Sequence, residues 1–468
     1  MLPLDPSPEE MRAMGEAALA YLIEFIHGLD DAPAEATEGA VELARELRSQ
    51  PPEIGGEFEA LFDESKRAIE RTFEYAGPGY LAYIPGGGLY TAALAEFLAQ
   101  GVNRYAGLWQ PSPAVVQIEE NVTRWLCDVF DYPSSSQGLL LSGGSMANLS
   151  AMVTARHAKL GEDFLDGTYY VSEQAHASVT KAATIAGFSK RNLRLVPTDA
   201  ELRMDPGALQ AAVRADRAAG LRPFLVAPSA GTTNTGAIDP LAAVADVAAA
   251  EGLWMHVDGA YGGFFQLTDR GKEWFSGIER SDSVTLDPHK GMFLPYGTGG
   301  LVVRDGQALR DAHYEGAAYL QDLPATGELP NYSEYSAELS RDWRGLRVWF
   351  PLRLHGVAAF RDALDEKLDL AQVVTEAFGA DPNVEVCWRP QLSTVVFRLA
   401  GSTSGAADDE RQAEFLRRIN DSKRVFLSST RIHGRFVLRV CIVSHRTHRD
   451  RIDECIEIVA EAAAELAA

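Results

Sequence analysis

LWMHVDGAYGG (residues 253–263) and SVTLDPHKGMFLPYGTGG (residues 283–300) decide how this chain is read. Each opens as a short apolar run, reaches an acid and passes into small residues, the pattern of a buried strand that stops at the edge of a sheet. Five more runs read as strands: GLLLS (138–142), TYYVS (168–172), LRLVP (193–197), PFLVA (223–227) and GLVVR (300–304). Amphipathic or alanine-rich helices such as 145–159 and 239–251 separate several of them. Continuous apolar strands interleaved with helices predict an α/β domain built on a mostly parallel, seven-stranded sheet covered on both faces. Ligand chemistry in such a sheet gathers at the carboxyl ends of the strands.

Outward from this centre the texture changes. From Ser7 to about Glu74 the pattern is helical, with Ser7-Pro8-Glu9-Glu10 as an N-cap, a proline at the first helical position and acids in the first turn. Met11, Met14, Ala18, Tyr21, Leu22 and Phe25 recur at helical spacing, and residues 50–56 break the pattern. So polar a segment has no core of its own and is expected to pack on another part of the molecule or on a second subunit. After Trp349 come a long helix (351–378), strands at 384–388, 394–399 and 436–442, a loop at 402–409 and a closing helix from about 447. The expected division is an N-terminal helical segment (1–74), a large domain (75–350) and a small α+β domain (351–468).

Composition narrows the function. The chain has 468 residues, 46% of them hydrophobic and 23% charged, enough for a large buried core. A net charge of −23, with no basic run, disfavours nucleic acid as a partner. Four scattered cysteines, Cys127, Cys387, Cys441 and Cys455, suggest neither a disulfide framework nor a zinc site. The acidic N-terminus lacks the basic start of a signal peptide, and no apolar stretch approaches the ~18 residues of a membrane span. A cytoplasmic protein without membrane contact is expected.

Several residues near predicted strand ends carry chemistry. Lys290 follows the strand 283–287 and can project into a cleft, although a lone strand-end lysine is usually solvated. Asp258 ends a buried strand, where a carboxylate is costly unless paired. It has three possible partners: a helix terminus, a metal shared with His256 on the same strand face, or a cationic ring nitrogen. In LLLSGGSMANLSAM (139–152) a glycine turn brings backbone N–H groups and the Ser142 and Ser145 hydroxyls to a helix N-terminus, suited to a phosphate dianion. The same segment approaches a GxSxG nucleophile elbow, with alanine in its last position. His176, in EQAHASVTKAA (173–183), can stack on a flat ring, and Ala230-Gly231-Thr232-Thr233 lets a ring approach the backbone. Together these supply a phosphate cradle, a stacking group, a small-residue floor, an acid and a lysine, the inventory of a pyridoxal 5'-phosphate (PLP) site.

The order SGGSMAN, EQAHASVTKAA, SAGTTNTGAIDP, HVDGAYGG, DPHKG resembles the group II PLP-dependent amino acid decarboxylases, and the resemblance runs from about residue 75 to the end. It implies PLP enzyme fold type I, with Lys290 carrying the cofactor as a Schiff base and His289 beside the phosphate. It places Asp258 on the pyridine nitrogen, His176 over the ring and Ala260 beneath it. Gly144 and Ser145 match the phosphate-binding turn, Thr233 a position near the ring, and Asp287 a cofactor-side position. The stretch 315–343 resembles the family's mobile loop, which crosses to the partner subunit and offers a proton-donating tyrosine; the matching residue is Tyr319. A homodimer with shared active sites follows from the same resemblance.

Decarboxylation to an amine is favoured over aldehyde formation, because related aldehyde synthases generally lack that tyrosine. Tyr83, Pro85 and Trp109 would give the substrate an aromatic and apolar wall, and Ser340 falls where relatives carry glycine or serine. Tyrosine or dopa is therefore the first expectation and tryptophan the next, with histidine or glutamate as alternatives. Asp287, Met146 and Gly291 depart from residues common among relatives. An aminotransferase or lyase of the same fold, a serine hydrolase using Ser145 and a non-catalytic protein of the fold are the competing readings.

Overall fold

The structure is a computed structural model that describes residues 4–316, 329–401 and 405–467. Its centre is the expected seven-stranded sheet: β1 (Gln137–Leu141), β2 (Gly167–Ser172), β3 (Leu193–Val196), β4 (Arg222–Ala227), β5 (Trp254–Asp258), β6 (Ser283–Leu286) and β7 (Gly299–Val303). The order is β1-β7-β6-β5-β4-β2-β3. Only β7 runs antiparallel to its neighbours.

Strand side chains divide between two cores largely by the two-residue period, although the consecutive Phe224 and Leu225 of β4 join the same one. Leu140, Tyr170, Val226, Met255, Val257, Val284, Leu286 and Val302 face one core, closed by helices 113–129, 206–218 and 241–251. Leu139, Leu141, Tyr169, Val171, Leu225, Trp254, Leu301 and Val303 face the other, closed by the helices Gly144–Leu160 and Ala177–Ile185. On that second face β5 and β6 break the apolar pattern, because His256, Asp258, Ser283, Thr285 and Asp287 fall in register with Trp254 and are all buried. A polar stripe inside an otherwise apolar sheet places the site before any cavity is considered.

A second sheet, entirely antiparallel, follows in the order β10-β11-β9-β8, from β8 (Val384–Trp388), β9 (Thr394–Leu399), β10 (Ser428–Ile432) and β11 (Arg435–Cys441). β10 escapes sequence reading because SSTRI is polar, yet His433 and Gly434, both at positive φ, form the two-residue turn that pairs it with β11. The expected loop at 402–409 is partly helix: Ala406–Asp421 begins there, with Asp408 and Asp409 in its first turn, where acids complement the helix dipole. The long helix runs Arg344–Ala380 and is broken at Gly356, whose φ is 76°.

The N-terminal segment forms three helices, Pro8–His27, Ala40–Glu46 and Phe58–Ile69. Ser7 caps the first with a reciprocal box: the Glu10 N–H donates to Ser7 Oγ at 3.2 Å, and the Ser7 N–H donates to the Glu10 carboxylate at 2.7 Å. Neither Pro8–His27 nor Phe58–Ile69 has a buried residue, and Leu19, Leu22, Ile23 and Leu61 stand exposed. Among the described residues no helix is long and apolar enough to cross a membrane.

Candidate active site

A cavity of about 270 Å³ opens at the carboxyl ends of the parallel strands. Ser142 to Met146 enter it after β1, His176 and Ser178 after β2, Ser229 and Gly231 to Thr233 after β4, Asp258, Ala260 and Tyr261 after β5, and Asp287, His289 and Lys290 after β6. Five strand ends that are remote in sequence thus deliver one side-chain set each, as sheet topology dictates.

Lys290 sits on a single helical turn, Pro288–Gly291, with its side chain 23% exposed. Its Nζ lies 2.8 Å from Asp287 Oδ2, while Asp287 Oδ1 is buried without a partner. His289 donates from Nδ1 to the Thr298 carbonyl at 2.6 Å, which leaves Nε2 as the acceptor, 3.8 Å from Asp287. Burial, opposed by the Asp287 charge, holds the His289 imidazole below its usual range and keeps it neutral.

Asp258 accepts from the Ala260 N–H at 3.2 Å and from Asn148 Nδ2 at 3.3 Å, so its carboxylate is held on the cavity side of the sheet. His176 caps the helix Ala177–Ile185 with its own ring: Nδ1 receives the Ser178 N–H at 3.2 Å and lies 2.7 Å from Ser178 Oγ. Both nitrogens of His256 are engaged, Nδ1 with Ser283 Oγ at 2.8 Å and Nε2 with Asn148 Oδ1 at 3.0 Å, which ties it to the protein rather than to a metal.

The turn before Gly144–Leu160 fits a phosphate. The first N–H groups of a helix have no partner within it, and here they face the cavity. A Cβ at Gly144 would stand 2.8 Å from Asp287 Oδ2 and 3.1 Å from the Ala260 methyl, so the close approach of turn, floor and acid depends on that glycine. Gly231 adopts φ 99°, open to glycine, and a Cβ there would strike Leu392 at 2.5 Å. The lysine, the buried Asp258 carboxylate and the free helix N-terminus match the aldehyde, ring nitrogen and phosphate of PLP.

Lys290, His289, Asp258, Ala260, His176, Gly144, Ser145, Thr233 and Asp287 therefore meet in one cavity. Tyr83, Pro85, Trp109 and Ser340 do not line it. Tyr83 is 57% exposed and Ser340 is also exposed, while Trp109 donates its backbone N–H to Asn331 Oδ1 at 3.1 Å. Gly86, next to Pro85, backs directly onto the His289 carbonyl. Tyr319 lies outside the described residues. The described stretch 329–343 of the expected lid is more firmly packed than its composition implies: Tyr332 is fully buried, and Arg341 pairs with Glu119 at 2.7 Å, both side chains at 0% exposure. Gly291 has a local reason, since any Cβ there would meet Phe264 Cβ at 2.6 Å.

Sequence reading missed Asn148, Ser178, Ser283 and Thr285. The alternation S-V-T-L-D at 283–287, read beside H-V-D at 256–258, carried the signal for the strand residues. Asn148 and Ser178 lie on helices whose rotation over the sheet no local pattern sets.

The sequence profile described as "Pyridoxal-dependent decarboxylase conserved domain" matches residues 42–400. The chain is 36% identical to an aromatic-L-amino-acid decarboxylase of Bacillus atrophaeus over 449 residues, 95% of this chain and 93% of that one. It is 29% identical to tryptophan decarboxylase 1 of Oryza sativa subsp. japonica, over 98% of this chain and 94% of that one. A crystal structure of Oryza sativa TDC with PLP and tryptamine superposes with a TM-score of 0.92 at 28% identity, covering 99% of each chain.

Proposed function

The chain belongs to the pyridoxal-dependent decarboxylase family, and from that premise we propose that it converts an aromatic L-amino acid to the amine and carbon dioxide. Tyrosine or dopa is the favoured substrate, and tryptophan the next. The enzyme is a PLP-dependent carboxy-lyase of fold type I. One observation carries the residue assignment: Lys290, Asp258 and the Ser142–Ser145 turn, from three separate strand ends, converge on one cavity.

Bound PLP supplies a conjugated ring that accepts the electron pair left when carbon dioxide departs. The chain's own groups hold and aim the reactants. Lys290 Nζ is the amine that would join the cofactor's aldehyde, and Asp258 the carboxylate that would keep a proton on the ring nitrogen. The Gly144–Ser145 turn would receive the phosphate, with His289 beside it. His176 and Ala260 would contact the ring, with Gly231 to Thr233 leaving room for it. Tyr319 is the residue assigned to return a proton to the α-carbon; its retention supports an amine product over an aldehyde. That contrast matters because the chain is also 27% identical to a phenylacetaldehyde synthase of Arabidopsis thaliana.

The exposed apolar faces of Pro8–His27 and Phe58–Ile69 support a homodimer in which these helices cover the second subunit. The functional test is a panel of L-tyrosine, L-dopa, L-tryptophan, L-phenylalanine, L-histidine and L-glutamate assayed together for carbon dioxide, amine and aldehyde. Equal release of amine and carbon dioxide from a phenolic amino acid is expected. Stoichiometric aldehyde, or turnover confined to glutamate or histidine, would contradict the reading.

A further inference from the structure

Behind the cavity lies a buried polar chain centred on Asn148, a residue 2% exposed on the helix Gly144–Leu160. The amide makes four contacts. Nδ2 lies 3.3 Å from Asp258 Oδ2 and 2.8 Å from Ser178 Oγ; Oδ1 lies 3.0 Å from His256 Nε2 and 2.7 Å from Thr285 Oγ1. An ionised carboxylate only accepts, so the end of the amide facing Asp258 must be the NH2. This single constraint orders everything attached to it.

With the oxygen turned away from Asp258, both His256 Nε2 and Thr285 Oγ1 donate to it. His256 then carries its proton on Nε2, and its Nδ1 accepts from Ser283 Oγ, which in turn receives the Trp254 indole N–H at 2.9 Å. Burial drives the His256 imidazole down to about 4, in keeping with a neutral ring inside this chain. On the other side Ser178 Oγ, having accepted from Asn148, donates to His176 Nδ1 at 2.7 Å. His176 Nδ1 thus accepts from the Ser178 hydroxyl as well as from the Ser178 N–H at 3.2 Å. Every donor in the chain points one way, from Trp254 to His176 and Asp258.

We propose that Asn148 is a positioning residue: its one amide sets the direction of the Asp258 carboxylate and, through the Ser178 hydroxyl, reinforces the hold on His176 Nδ1. The inference rests on the assignment of Asp258 and His176 to the cofactor ring. It explains why an asparagine, a weak helix former, stands inside a buried helix among alanines. Two groups that must act on one ring, one at its nitrogen and one on its face, are set by a common part and not by two independent loops.

The test uses full-length wild type, Asn148→Asp, Asn148→Ala and Ser178→Ala, titrated as apoproteins with PLP and then assayed for kcat and KM on the wild type's best amino acid. Asn148→Asp keeps the side chain's shape and sets a second acceptor against Asp258. Both Asn148 variants should bind PLP at least about tenfold more weakly, with Asn148→Asp the worse. Ser178→Ala should bind PLP about as tightly as wild type and lose about fivefold in kcat, the scale of one neutral hydrogen bond, with KM unchanged. Wild-type PLP affinity in Asn148→Ala, or unchanged kcat in Ser178→Ala, overturns the proposal. Where an Asn148 variant fails to fold, Thr285→Val decides the Asp258 arm: it removes the shorter of the two donors that hold Asn148 Oδ1, loosens the amide against Asp258 and should weaken PLP binding about threefold, and undiminished affinity there overturns the proposal as well. A wild type that binds no PLP would instead defeat the functional reading, and this inference with it.

Discussion

Asp258 and Lys290 are the residues we propose to carry most of the chemistry, and both were legible as residues before their surroundings were. Asp258 stood out because a buried acid at a strand end demands a partner; its actual protein partners, Asn148 and the Ala260 N–H, come from a helix and a turn whose placement depends on packing. Lys290 gained meaning only from its neighbours, and the structure adds its ion pair with Asp287. Asp258→Asn keeps the volume and removes the charge, so kcat should fall about a hundredfold, the order lost when a preorganised charge-stabilising group is removed; steady-state assays at saturating PLP measure it. Asp287→Asn releases Nζ from its ion pair, and reconstitution of the apoprotein with PLP, followed by absorbance, should proceed faster than in wild type. Slower reconstitution would mean that the carboxylate itself helps to seat the cofactor.

At the scale of elements, the seven strands were readable because most are short runs buried from both sides, the edge strand β3, with Leu195 exposed, being the exception. What stayed hidden was local polarity with a tertiary cause. β10 is polar yet paired, and the helix from Ala406 begins in a run that looks like a loop. The substrate wall was the least legible part. Tyr83, Pro85, Trp109 and Ser340 were grouped by residue type, and within one chain none reaches the cavity lining. The turn from β1 into Gly144–Leu160 makes an element-level prediction: Gly144→Ala forces a methyl to within 2.8 Å of Asp287 Oδ2, so PLP affinity should drop while the thermal midpoint of the apoprotein changes little. Gly291→Ala should do the reverse, lowering apoprotein stability by about 1–3 kcal/mol through overpacking against Phe264. Thermal melts with and without PLP separate the two.

For the whole molecule we propose three parts, 1–74, 75–350 and 351–468, with the second division falling inside the helix Arg344–Ala380 just before its break at Gly356. The uncovered N-terminal helices predict a sedimenting species of twice 50.8 kDa, and Ile23→Glu, on an exposed apolar position, should shift it toward the single chain. Acid sensitivity is also built in. Burial lowers His256 to about 4 and His445 to about 3, against an ordinary value of 6.5. The unfolded chain therefore binds more protons than the folded one below 6.5, and stability present above that pH is lost as pH falls toward 4. Asp239, raised by burial to about 6, opposes this over part of the range. The apoprotein's thermal midpoint should decline from pH 6.5 to 4, with a shallower slope in His445→Gln; a flat profile would contradict it. The central claim is tested most directly by intact-mass measurement of the protein reduced with borohydride in the presence of PLP. One phosphopyridoxyl group per chain is expected, mapped to Lys290 and absent from Lys290→Ala; an unmodified chain, or an adduct on another lysine, would contradict the assignment.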